Sequence, residues 1–337
     1  MKIAVVGCGA VGSYYGGRLA QAGHDVHFLL RSDYDVVRQH GVSVQSPLGS
    51  FHFRPKFAMA PDEIGASDLV LIGLKTTAND QFRVLLPPLV GSHTAILTLQ
   101  NGLGNEELLA ALFAAEQVLG ALCFVCLNRI GPGRILHLDH GQIVLGEFQR
   151  PPQPRTHRMA TLFREAGVPC EVTPDLAKAH WEKLVWNIPF NGLGVAAAAG
   201  LEAVRRGKWE PDRRLEPCLT TDLLLGQPAW AGLVRELMLE VIAAARSLGF
   251  DVSPLLADRL LELTRTMGAY KASTLLDFER GQPMELDSLF LEPLRRAQAS
   301  RVPVPRLENL CRVLRQLDEA RRARAADPAR PRGFEVR

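Results

Sequence analysis

Long hydrophobic runs are missing from this 337-residue sequence. No apolar stretch approaches the roughly 18–20 residues that span a bilayer, which argues against an integral membrane protein. The apolar start Ile3–Val6 is too short for a secretory signal and reads as a first β-strand, so the expectation is a cytoplasmic protein. An excess of one charge sign is missing too. The net charge is +3, and the six arginines and three carboxylates of residues 319–337 account for all of it, leaving residues 1–318 neutral. A neutral body offers no electrostatic reason for a nucleic-acid partner. The basic tail, with Pro328, Pro331 and Gly333, reads as a disordered terminus. Metal-ligand clusters are lacking as well. Cys123 and Cys126 have CxxC spacing, but they lie inside the apolar run Ala121–Leu127 and no second ligand pair follows. The six cysteines read as core thiols in a reducing compartment, and no metal is expected.

What is present points to folded structure. A hydrophobic fraction of 47% with 22% charged residues is ordinary globular composition, and the length suits about two domains. The strand Lys2–Val6 runs straight into Gly7-Cys8-Gly9-Ala10-Val11-Gly12, a helical stretch Ser13–Ala22 and a second strand Asp25–Leu30. This β–turn–α–β setting lifts GxGxxG above chance. Gly7 permits the tight turn, Gly9 lets the backbone approach a pyrophosphate, and Gly12 allows close helix–strand packing. The helix N-terminus then offers unpaired N–H groups and a positive dipole end to the phosphates.

The second strand lacks the Asp or Glu that usually binds the ribose 2′-hydroxyl of NAD, and has Arg31 instead. A guanidinium pairs with a 2′-phosphate that a carboxylate would repel, so NADPH/NADP is the expected cofactor. Further strands are expected at Leu69–Leu74, Ala95–Leu99 and Val118–Val125. Lys75 and Asn101 follow two of them and are placed to face the cofactor, because open parallel sheets bind ligands beyond their carboxyl ends. Arg134–Leu138 and Gln142–Gly146 read as a hairpin about Asp139-His140-Gly141, with a helix–strand passage at His157–Val172 after it. The fold class is α/β, with an N-terminal Rossmann-type doubly wound sheet (residues 1–174), an all-α C-terminal domain (175–318) and the basic tail (319–337).

Within the helical half, Lys183, Asn187 and Asn191 recur every four residues and fall within an arc of about 80° on one helix. The flanking Leu184, Val185, Trp186, Ile188 and Phe190 are too apolar for a simple surface helix. Pro189 frees the carbonyl of Val185 and bends the element. His180, on the same face, is the rival proton donor. Ser273 heads a later helix and Glu285 follows the break Gly281-Gln282-Pro283; alone, each reads as a helix-end residue. A helical second half is compatible with a homodimer.

Gly7-x-Gly9-x-x-Gly12, Arg31, Leu74-Lys75, Gln100-Asn101-Gly102, Trp181-x-Lys183-Leu-x-x-Asn187-x-x-x-Asn191 and Met284-Glu285-Leu286-Asp287 stand in the order seen in ketopantoate reductases, which the chain resembles over residues 1–318. The resemblance implies NADPH-dependent reduction of a 2-oxo acid to a 2-hydroxy acid, as in pantothenate and coenzyme A biosynthesis. By position, it implies Lys183 as general acid and Glu285 as its active-site partner. It implies Asn101 as a cofactor and substrate contact, and Asn187, Asn191 and Ser273 as substrate-binding residues. Three features depart from the family pattern: Tyr270 in place of an asparagine, the run Gly192–Gly200, and an insertion over residues 201–218 with Arg205, Arg206, Lys208, Arg213 and Arg214 beside Trp209. They motivate two alternatives: a D-2-hydroxyacid dehydrogenase acting on a bulkier or aromatic 2-oxo acid, and a non-catalytic NADPH-binding regulator.

Overall fold

The computed structural model describes residues 1–211 and 213–326. It divides into two compact units, Met1–Ala179 and His180–Arg337. The first is built on ten strands: β1 Lys2–Val6, β2 Asp25–Leu29, β3 Val42–Gln45, β4 Phe51–Phe53, β5 Lys56–Ala58, β6 Ser67–Ile72, β7 Val90–Thr98, β8 Val118–Gly131, β9 Arg134–Glu147 and β10 Cys170–Val172. They form one sheet in the order β4-β3-β9-β8-β7-β6-β1-β2-β5, with β10 against β9. The stretch from β5 to β8 is wholly parallel, whereas β8–β9 and β3–β4 are antiparallel, so the sheet is mixed.

Both faces of the parallel region are buried. Ile3 and Val5 join one apolar cluster with Tyr14, Tyr15, Leu19 and Phe163, while Ala4 and Val6 join a second with Ile64, Phe82 and Leu109. Successive residues of a strand point to opposite faces, so a run such as Ile3–Val6 that is apolar throughout requires helices on both sides.

Two expectations are corrected here. Arg134–Leu138 and Gln142–Gly146 are not two arms of a hairpin. They belong to the single strand β9, which pairs along its length with β8 across a turn at Pro132-Gly133. The Asp139-His140-Gly141 signal is a β-bulge: the register passes from Val125↔His140 to Phe124↔Gln142, leaving Gly141 unpaired, with His140 and Gly141 both at positive φ. Second, the tail does not begin at residue 319 as a disordered segment. The last helix runs Pro305–Ala326, and Arg321 is buried on it, donating to Asp318 and to the Gly281 carbonyl at 3.1 Å. Residues 327–337, with Pro328, Pro331 and Gly333, lie outside the described residues.

The second unit is helical and centres on residues 180–196 of the helix Leu176–Ala196, which are buried from Leu184 onward except for half-buried Trp186. A helix enclosed on nearly every side needs small residues where neighbours press closest. At position 192, a Cβ would lie 2.6 Å from Leu310 and 2.8 Å from Phe290, so glycine there lets both side chains reach the helix backbone. That accounts for the glycine that opens the run Gly192–Gly200. The insertion packs as well: Leu201–Arg206 is helical, Trp209 is buried, and its backbone N–H donates to Gln316. Among the described residues, no helix is long and apolar enough to cross a membrane, no cluster of side chains fits a metal ion, and all six cysteines are free thiols.

Candidate active site

The first group of site residues is set out by strand register. Val6 pairs with both Leu29 and Ile72, and Ile72 with Thr98, so β2, β1, β6 and β7 end level with one another. The segments just past those ends therefore emerge in a row, carrying Arg31, the glycine turn, Lys75 and Asn101. Three strand spacings separate the outer members, about 14 Å. Gly7 adopts φ 95° and packs on the β6 end, where a Cβ would meet the Leu74 amide nitrogen at 2.2 Å. A Cβ on Gly12 would meet the Gly7 carbonyl oxygen, also at 2.2 Å. These two glycines are required by the turn itself.

Gly9 is different, because a Cβ there would find no protein atom within 4 Å. Packing does not demand glycine at that position, and the open space leaves room for close approach of a bound group. Gly9 also caps the 12-residue helix Ala10–Gln21, whose first turn carries no acidic side chain. Open space, free N–H groups and a positive dipole end fit the pyrophosphate of a dinucleotide. Cys8, Ala10 and Val11 contribute backbone to this turn. The Cys8 thiol donates to the Leu29 carbonyl at 3.2 Å, and burial, then the Asp33 charge, pushes its pKa well up. Arg31 is exposed and has no side-chain hydrogen bond or ion pair among the described residues.

The segments that carry Lys75 and Asn101 are linked, from the Leu74 carbonyl to the Asn101 carbonyl, by a network that sequence reasoning missed. Thr98 donates to Gln100 Oε1 at 2.9 Å, while Gln100 Nε2 donates to the Leu74 carbonyl at 3.0 Å and to Asn79 at 2.7 Å. Asn79 donates to Asn105, and Asn105 to the Asn101 carbonyl at 3.1 Å. The Asn101-Gly-Leu-Gly-Asn105 spacing was the available signal for Asn105. For Asn79 there was none.

The second group lies in the helical unit. Lys183 is half-buried, whereas Asn187, Asn191, His180 and Glu285 are buried. The structure brings Asn191 and Ser273 together across 82 residues: Asn191 Oδ1 accepts from the Ser273 hydroxyl at 3.2 Å and from the Thr274 amide at 3.0 Å. Asn191 therefore anchors the start of the helix Ser273–Glu279. Glu285 stands two residues before a π-helical turn, Asp287–Leu291, a distortion that often marks functional sites. An aromatic cluster stands near Asn191. Trp186 stacks on Phe190 at 5.0 Å, lies 6.2 Å from Tyr270, and donates its indole N–H to Thr264 at 2.9 Å. Thr221 fixes the Tyr270 loop through the Gly268 carbonyl at 2.7 Å.

Comparison with known proteins bears on both groups. The sequence signature of "Ketopantoate reductase PanE/ApbA" matches residues 3–150, and that of its C-terminal part matches residues 218–318. A 2-dehydropantoate 2-reductase of Nostoc sp. (strain PCC 7120) is 38% identical over 324 residues, covering 94% of this chain and 95% of its own. The crystal structure of 2-dehydropantoate 2-reductase from Geobacter metallireducens GS-15 superposes with a TM-score of 0.85 at 44% identity, covering 94% of this chain and 99% of its own. A ternary structure of D-mandelate dehydrogenase with NADH and anilino(oxo)acetate reaches a TM-score of 0.82 at 17% identity, over 96% and 99% of the two chains, a likeness of fold alone.

Proposed function

Because the chain belongs to the ketopantoate reductase PanE/ApbA family, we propose that it reduces 2-dehydropantoate to pantoate with NADPH, in the cytoplasm, as a step toward pantothenate and coenzyme A. The observation that carries this reading is the helix bearing Lys183, Asn187 and Asn191, tied through Asn191 to Ser273. It combines a proton donor with neutral hydrogen-bonding groups amid the apolar residues Leu184, Val185, Ile188 and Phe190.

Gly7 to Gly12, Arg31, Lys75 and Asn101 would hold the cofactor, which when bound supplies the hydride. The protein's own share is charge and proton management. As the ketone is reduced, negative charge grows on its oxygen; the Lys183 ammonium stabilises that charge and then gives up its proton there. Lysine suits the role because its pKa responds to burial and neighbours, whereas arginine keeps its proton. Glu285 would hold the ammonium in place. Asn187 and Ser273 bind the substrate's polar groups, and Asn191 acts on Ser273 by fixing its position.

The aromatic cluster of Trp186, Phe190 and Tyr270 favours a second reading, a D-2-hydroxyacid dehydrogenase for bulkier 2-oxo acids. Steady-state rates with 2-dehydropantoate, branched and aromatic 2-oxo acids, followed by NADPH absorbance, decide between the two. Highest kcat/KM with 2-dehydropantoate is the expected outcome, and highest with an aromatic acid replaces it by the second reading. No consumption with any of them leaves a cofactor-binding regulator.

A further inference from the structure

The loop after β2 carries two opposite charges, Arg31 and Asp33, and only one is spoken for. Asp33 opens the helix Tyr34–His40, a place where a carboxylate usually caps its own helix, but it makes no such bond. Its side chain is buried and reaches the β8–β9 turn instead. Arg129 grips both carboxylate oxygens, through Nη2 and, at 3.1 Å, through Nε, and the Gly133 amide donates at 3.1 Å. Burial works against the charged form, yet these donors hold the Asp33 pKa below the usual carboxylate range, so the pair is ionised at neutral pH. The field of Asp33 extends to the glycine turn, because its charge helps push up the Cys8 thiol.

From this arrangement we propose that Arg129, by neutralising Asp33, protects the preference for NADPH that Arg31 sets. A bare carboxylate two residues beyond Arg31 would repel a 2′-phosphate and favour a 2′-hydroxyl, as acidic residues in this loop do in NAD-binding sites. Arg129, brought from 96 residues away by β8, cancels that charge and pins the loop, leaving Arg31 as its uncompensated cation. Asp33 and Arg129 are positioning residues that act through Arg31. The inference rests on the NADPH reading above.

The test compares wild type with Arg129→Ala, Asp33→Asn and the double variant. The readouts are kcat/KM for NADPH and NADH, and dissociation constants for 2′,5′-ADP and 5′-AMP. Arg129→Ala is expected to lower the NADPH:NADH ratio about tenfold, the scale for unit charges several ångströms apart near a surface. Its affinity for 2′,5′-ADP should fall while that for 5′-AMP holds. The double variant is expected to recover most of the lost ratio, because the exposed charge is gone, and Asp33→Asn alone to keep it. A wild type without preference for NADPH overturns the cofactor reading and this inference with it. A wild type that prefers NADPH, with a ratio that Arg129→Ala leaves unchanged or the double variant fails to restore, overturns this inference alone. If Arg129→Ala does not fold, the double variant and Asp33→Asn decide: loss of NADPH preference in either overturns it.

Discussion

The two units place their functional groups by different means. In the first, the level ends of β2, β1, β6 and β7 deliver Arg31, the glycine turn, Lys75 and Asn101, so position comes from backbone register. In the second, Lys183, Asn187 and Asn191 share one helix face, and Ser273 is held by a side-chain bond to Asn191. Register is set by many hydrogen bonds at once and survives single substitutions. A helix face held by individual side-chain contacts does not. Substitutions in the second unit should therefore act on substrate binding and chemistry with cofactor binding intact, and those in the first on cofactor binding and stability.

The sharpest test of that contrast is Lys183→Ala. Turnover should fall ~10²-fold or more, the range for a general acid, while NADPH affinity stays within about twofold in a fluorescence titration. A loss below about tenfold moves the proton donor elsewhere, with His180 the next candidate.

Next in size is Glu147, at the end of β9. Its carboxylate is buried and receives Arg155, Arg150 and Thr156. Burial alone would raise its pKa, but those partners lower it. A carboxylate with a depressed folded-state pKa stabilises above the unfolded value of about 4.3, and that contribution drains away as pH falls through the folded value. Glu147→Gln should therefore cost roughly 1.5–3 kcal/mol at pH 7, the worth of a charge-assisted hydrogen bond, with the two melting curves converging below about pH 4. A gap that stays constant with pH would show that the loss is packing rather than charge.

Gly12→Ala should be milder on folding and selective on binding. The new Cβ must displace the Gly7 carbonyl, costing about 1–3 kcal/mol for overpacking, with NADPH affinity falling while the second unit's helices keep their circular dichroism. Unchanged affinity would remove the glycine turn from the cofactor site.

Legibility in the sequence divides along the same line. The β–turn–α–β start could be read because its signals are local: glycine spacing, a strand before and a helix after. The β9 bulge was misread because Asp-His-Gly carries the same positive-φ chemistry as a turn, and only pairing with β8 tells the two apart. The lysine–asparagine face was visible from four-residue spacing. Its link to Ser273 was not, since Asn191 and Ser273 are 82 residues apart and pattern alone joins nothing across that distance. The same applies to Asp33 and Arg129, and to Asn79 within the Gln100 network. The basic tail was read from composition, which is blind to Arg321 finding Asp318 one turn back.

Arg321 also has a practical bearing on engineering. Its guanidinium holds the carbonyl of Gly281, four residues ahead of Glu285 and at the left-handed kink that leads into it. The far end of the chain is thus the latch on the approach to a candidate catalytic carboxylate, and residue 318 is the wrong place to trim. A shortened clone or a C-terminal fusion joint needs to keep the helix through at least Arg321, or that approach comes unfastened.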